Sequence, residues 1–178
     1  MTATIGFLSV RHHMEHGYFG GYLLVNYVAR PLEFHCTMPV KPSRAQELLY
    51  GPTIDDFVCG EQIAKALTMK AKLTPQVVLT DCSAVLALSL VSKLPVAYLA
   101  TSPDAEKCEQ MRIPVSMGHC VKHLDAPEYR VDVPEQSDFT QQEFAELVQG
   151  IAPSFDLAEP FQRIVEALYE AHPVTRAA

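Results

Sequence analysis

Residues 76–100 read QVVLTDCSAVLALSLVSKLPVAYLA, and their order decides the class of fold. Gln76 to Thr80 is an apolar run with no alternation, the pattern of a strand buried on both faces. Ser83 to Leu94 is a helical run, and Pro95 to Ala100 is a second buried strand. Strand, helix, strand over this length is a right-handed parallel crossover. The expectation is a sheet with parallel strands and helices on its faces.

Towards the N-terminus, Thr4 to Val10 reads as a buried strand and Gly21 to Val28 as another. In Arg30 to Tyr50, RPLEFHCTMPVKPSRAQELLY, residues Leu32, Phe34, Cys36 and Met38 alternate with Glu33, His35 and Thr37. A period of two puts Phe34 and Cys36 on one face, most simply the core, and Glu33 and His35 on the other. Pro31 has no N–H for the ladder and belongs at the turn or strand end. These three strands make an antiparallel meander. Pro39 and Pro42 end it, and Ser43 with Gln46 forms a capping box for a short helix closed by Gly51. Thr53 with Asp56 repeats the device ahead of a second helix reaching about Lys72.

Beyond residue 100, Ser102, Pro103 and Asp104 form a helix start, with serine as cap and proline at the first helical position. Ile113 to Met117, Cys120 to Leu124 and Tyr129 to Val133 read as short strands. Thr140 with Glu143 makes a capping box, with Phe139 and Phe144 as its hydrophobic staple. A last helix from Asp156 carries Phe161, Ile164, Val165, Leu168 and Tyr169 on one stripe. The tail after His172 is expected to fray. The architecture is thus one α/β domain over residues 1–178, a mixed sheet opening with a meander, with 138–172 as a helical segment packed on it.

A chain of 178 residues buries about 70% of its unfolded surface, enough for one sizeable core. The formal charge of -7 and the scattering of 14 Lys and Arg residues leave no basic stripe, so nucleic acid is not an expected partner. Five cysteines, odd in number and never in a Cys-x-x-Cys pair, fit reduced thiols and a cytoplasmic setting. No basic region precedes a hydrophobic run at the N-terminus, and the longest apolar run is too short to span a bilayer.

Three places could carry chemistry. Asp81 stands after the strand Gln76 to Thr80, at the carboxyl end where open α/β sheets bind ligands, although Asp81 or Ser83 could instead cap the following helix. Cys82, beside it, is a possible nucleophile at a helix start or a buried structural thiol. Histidines gather at His12, His13 and His16, at His35, and at His119 and His123. His12 and His16 are the candidate metal ligands, against solvated loop histidines, and the spacings match no standard zinc pattern. The stretch Gly17 to Tyr22 reads as a glycine and aromatic loop, with Tyr18 and Phe19 as exposed anchors for a partner or as side chains folded back onto the core. His35 and Arg44 complete the candidate binding surface.

The blocks GYFGGYLLVN, RPLEFHCTMPVKPSRAQELLYGPT and GEQIAKAL resemble a family of uncharacterised bacterial proteins over about the first 90 residues. That resemblance implies no activity, cofactor or catalytic residue. The element order of the first 100 residues is also similar to the ribonuclease H-like fold. Its members hold two divalent metals on carboxylates from the first strand, the first helix and the fourth strand. The resemblance implies Glu47 and Asp81 at two of these positions, while Thr4 to Val10 supplies no acid. The leading expectation is a non-catalytic protein-binding or assembly subunit, holding a protein partner or a copy of itself. The alternative is a metal-dependent hydrolase or nuclease using Asp81 and Glu47. No particular cofactor is implied.

Overall fold

The computed structural model describes residues 3–101 and 111–173. The expected helix start at Ser102 to Asp104 and the end of the chain after 173 lie outside the described residues. Eight strands form one sheet: β1 (Ile5–His13), β2 (Gly17–Val25), β3 (Pro31–Cys36), β4 (Val78–Thr80), β5 (Val96–Ala100), β6 (Met111–Arg112), β7 (Val121–Leu124) and β8 (Arg130–Pro134). Their order is β3-β2-β1-β4-β5-β8-β7, with β6 paired to β1. β1, β2 and β3 are the antiparallel meander, and β1, β4 and β5 run parallel. β8 returns antiparallel to β5, and β7 to β8. This is the mixed α/β sheet that residues 76–100 implied, in an order consistent with a ribonuclease H-like fold.

The meander is longer at its first turn than the sequence suggested. The backbone N–H groups of Glu15 and His16 donate to His13 Nδ1, closing a tight turn. Gly17 leaves it at φ +92, and a side chain there would lie 2.5 Å from the Val40 carbonyl oxygen, so only glycine fits. The glycine and aromatic stretch is therefore not a loop. It is strand β2, buried at every position. β3 also departs from expectation: Phe34 is 40% exposed, because β3 is the sheet edge and Phe34 meets only the rim of the core near Leu168.

α1 (Arg44–Tyr50) begins in the expected Ser43/Gln46 capping box. The second helical run differs from a single α-helix. It passes from a 3-10 turn (Gly51–Thr53) through α2 (Ile54–Asp56) and a π-helix (Phe57–Ala64) to α3 (Lys65–Lys70). Thr53 does not cap it; its hydroxyl donates back to the Tyr50 carbonyl at 2.7 Å. The crossover segment Ser83–Leu90 is a 3-10 helix, lying so close to the π-helix that a Cβ on Gly60 would come within 2.5 Å of Ala87 Cβ. Two packed helical segments approach this closely only with glycine at the contact. Among the described residues no helix is long and apolar enough to cross a membrane.

The two faces of the sheet have separate cores. On one, Phe7, Phe19, Leu23, Leu79 and Leu99 meet α4 (Gln141–Gly150) and α5 (Glu159–Ala171) through Phe144, Phe161, Ile164 and Leu168. On the other, Leu8, Tyr22, Leu24 and Val78 meet the π-helix and the 3-10 segment. β4 and the first half of β1, Ile5 to Leu8, carry mostly apolar side chains because they are covered on both sides, and the polar residues of β1 begin at Ser9. The predicted strand Ile113 to Met117 is an irregular stretch that follows the two-residue β6, with the Pro114 carbonyl accepting from the Cys82 thiol and the Met117 N–H donating to Asp56.

Candidate functional site

At the carboxyl ends of β1 and β4, Asp81 leaves its strand and turns inward. Ser9 Oγ donates to Asp81 Oδ1 at 2.7 Å, and Arg11 Nη2 donates to Asp81 Oδ2 at 2.8 Å. Arg11 Nη1 also donates to Ser9 Oγ at 2.8 Å and to the Val10 carbonyl at 3.1 Å. Ser9 and Arg11 stand two apart on β1, so both side chains project from one face. The Arg11 and Asp81 side chains are only 5% and 3% exposed. Asp81 caps no helix here; it is the anion of a buried ion pair.

A second acid lies alongside. Asp55, at the start of α2, accepts Arg112 Nη1 and Nη2 at 2.7 and 2.9 Å and the Tyr18 hydroxyl at 2.6 Å. Burial opposes its charge, yet the hydrogen bonds from Arg112 and Tyr18 and the Arg112 charge outweigh that and hold its carboxyl below the usual range. His12 stacks over Tyr18 with ring centroids 4.1 Å apart and accepts Arg112 Nε at 3.1 Å. Burial and then the Arg112 charge push the His12 imidazole down, towards its neutral form.

The open space is one strand further along. A cavity of about 560 Å³ is lined by Ser83, Tyr98, Ser116, His119, Arg130 and Asp132, among others. Tyr98 on β5 is the register partner of Asp132 on β8, which is the partner of His123 on β7. The three side chains therefore form a row on one face. His123 Nδ1 is hydrogen-bonded to Asp132 Oδ1, and Arg130 Nε lies 3.3 Å from Asp132 Oδ2. Asp132 is buried and lines the cavity, while His123 is 63% exposed. Burial, then the charges of Asp81, Cys82 and Asp132, push the Tyr98 phenol up, so it stays a donor. Across the cavity, His119 Nε2 stands 4.0 Å from Asp56 Oδ1, a buried oxygen with no hydrogen-bond partner. Of the two imidazoles His119 lines the cavity, while His123 is joined to it through Asp132.

The residues singled out from the sequence are dispersed. Glu47 lies on α1, which has no buried residue, and pairs with Arg44 at 3.2 Å in solvent. It and Asp81 sit in separate ion pairs. Cys82 is fully buried and its thiol donates to the Pro114 carbonyl at 3.3 Å, a position closed to substrate. Tyr18 and Phe19 are buried in β2 rather than exposed. His16 stacks on His13, 4.5 Å between centroids, while His12 faces Tyr18 and Arg112. His35 pairs with Glu33 at 2.8 Å, and Glu33 accepts the backbone N–H groups of Lys72 and Leu73, clipping β3 to the end of α3. Among the described residues no three His, Cys, Asp or Glu side chains converge as a metal-holding group. For the fold's two-metal centre the residues do not fit: β1 brings a serine and an arginine to Asp81, and the arginine takes up the carboxylate.

No family model and no curated protein matches the sequence. Among solved structures, Ciona intestinalis endonuclease V in complex with an inosine-containing DNA is 15% identical, with a TM-score of 0.46, covering 84% of this chain and 77% of that one. Human ENDOV is 11% identical at a TM-score of 0.46, covering 99% and 87%. Marinitoga piezophila Argonaute with a guide RNA is 9% identical at 0.38, covering 82% of this chain and 25% of that one. At these scores no residue role is carried across.

The leading expectation was a non-catalytic protein-binding or assembly subunit with no nucleic-acid partner; the solved structures of similar fold are instead an endonuclease in complex with DNA and an Argonaute with a guide RNA, and that expectation is not carried forward. The physical reason lies in the charge argument. A net -7 is a property of the whole chain and does not show how its cations are placed: Arg11, Arg112 and Arg130 each stand against an acid, Asp81, Asp55 and Asp132.

Proposed function

We propose that this chain is a phosphodiester hydrolase working by imidazole acid–base catalysis in the cavity between β5, β8 and residues 116–121, with nucleic-acid strands as substrate. The observation that supports it is the hydrogen-bonded pair of His123 and Asp132, whose buried carboxylate lines the same cavity as His119. Asp132 holds the His123 Nδ1–H, which leaves Nε2 to accept a proton. A water attacks phosphorus and gives its proton to His123 Nε2 as the new P–O bond forms. The P–O bond to the leaving oxygen breaks, and that oxygen takes a proton from His119. Arg130 and the Tyr98 hydroxyl lie where they can donate to the non-bridging oxygens as charge builds on them.

The test is cleavage of end-labelled single- and double-stranded oligonucleotides by the wild type, His123→Gln and His119→Gln. Each substitution is expected to slow cleavage about 10²- to 10⁴-fold, the range for a general acid or base. Cleavage by both variants at the wild-type rate, or none by the wild type, overturns the reading.

A further inference from the structure

Asp81 occupies the place at the end of the fourth strand where the ribonuclease H-like resemblance implies a metal-binding carboxylate. Both of its oxygens are already engaged: Oδ1 by the Ser9 hydroxyl and Oδ2 by the Arg11 guanidinium. The first strand, which in that fold contributes an acid facing the ion, contributes here a neutral donor and a cation. We infer that Arg11 is a covalently tethered replacement for the divalent ion, so that Asp81 is closed to Mg²⁺ and Mn²⁺ and serves to hold the carboxyl ends of β1 and β4 together.

Three observations carry this. Arg11 is buried, anchored additionally to Ser9 Oγ and the Val10 carbonyl, and so has a fixed geometry rather than a swinging surface side chain. Hydrated divalent ions need several oxygen donors, and the donors Ser9 and Arg11 present N–H and O–H groups towards Asp81 instead of lone pairs. Two further acids are likewise taken up by arginines, Asp55 by Arg112 and Asp132 by Arg130. An arginine pairs with a carboxylate through a planar fork and keeps its charge at any accessible pH, so the site is permanently neutralised.

The inference is independent of whether the cavity hydrolyses anything, and its test reads no activity. Manganese is titrated to about ten equivalents into isotope-labelled protein, and its paramagnetic broadening of backbone amide signals is followed. In the wild type, Ser9, Arg11 and Asp81 are expected to keep their intensity relative to the core. In Ser9→Asp/Arg11→Met, which restores an acid on β1 and removes the guanidinium, the same region is expected to broaden selectively. With Mn²⁺ at 100 times its Kd, that variant is also expected to melt about 5–10 °C higher than without the ion. Selective broadening around Asp81 in the wild type overturns the inference. So does a folded double variant that takes up no ion there. Should the double variant fail to fold, the wild-type titration decides alone.

Discussion

Replacing Arg11 by methionine keeps the unbranched stem as far as the Nε position and removes the end of the guanidinium with its charge and donors. Asp81 is then a carboxylate 3% exposed, holding the Ser9 hydroxyl on one oxygen and stripped of its 2.8 Å guanidinium bond on the other. Truncating one partner of a buried pair costs about 3–5 kcal/mol, because the remaining charge is left uncompensated in a low-dielectric site. For a protein of this size about 2–4 °C of melting temperature accompany each kcal/mol, so Tm should fall by about 6–20 °C. Urea unfolding followed by far-ultraviolet circular dichroism gives the free energy directly, with an unchanged m-value as the check that only the native state was altered. Arg11→Met/Asp81→Leu removes both charges and should recover most of the loss, since paired apolar replacements are often neutral. A single variant losing less than about 1 kcal/mol, the range of exposed pairs, would refute the buried-pair argument. So would a double variant no better than the single.

Other consequences follow from the packing and the local charges. Gly60→Ala drives a methyl to within 2.5 Å of Ala87 Cβ and 2.8 Å of its backbone, and should destabilise by about 1–3 kcal/mol despite the better helix propensity of alanine; an unchanged urea midpoint would contradict the contact. Phe161→Ala empties the α5 side of the core beside Phe7, whose ring centroid is 5.3 Å away, and should cost about 3–5 kcal/mol by the same assay. Acidification acts on three groups whose native pKa values are lowered, Asp55, Glu33 through its hydrogen bond with His35, and His12. Because the unfolded chain binds the proton first, each contributes stability above its unfolded pKa and loses it as pH falls through the lowered native one. Tm should therefore drop first below about pH 6.5 through His12 and again below about pH 4 through Glu33 and Asp55, and Asp55→Asn should shrink the second step and leave the share of Glu33.

What the sequence made legible was local. The apolar runs at 76–80 and 95–100 identify strands covered on both faces, and the Ser43/Gln46 and Thr140/Glu143 boxes are complete within four residues. Asp81 had a readable address at a strand end, yet its partner was 70 positions away on a strand that looked merely apolar. Gly17, Gly20 and Gly21 looked like a loop because glycine permits a turn. Only Gly17 makes one, while Gly20 and Gly21 sit under Ile63 and Ile164 where a side chain has no room. The Asp132 and His123 pair was within reach of the pattern. Arg130 and Asp132 alternate with Val131 and Val133, which puts both polar residues on one face of a strand. Only the pairing register of β7 and β8, set by their turn, brings His123 opposite. Asp56 was read as the acid of a capping box with Thr53 and Asp55 was not singled out, because nothing local distinguishes a helix-start acid from one aimed at Arg112.

The most direct test of acid–base catalysis in this cavity is the pH dependence of oligonucleotide cleavage by chelator-treated protein. Without added metal the wild type should show a bell-shaped profile; His123→Gln should lose the acidic limb along with most of the rate, and His119→Gln the alkaline limb. Cleavage that appears only on adding a divalent ion, with both limbs intact in the two histidine variants, would contradict the account.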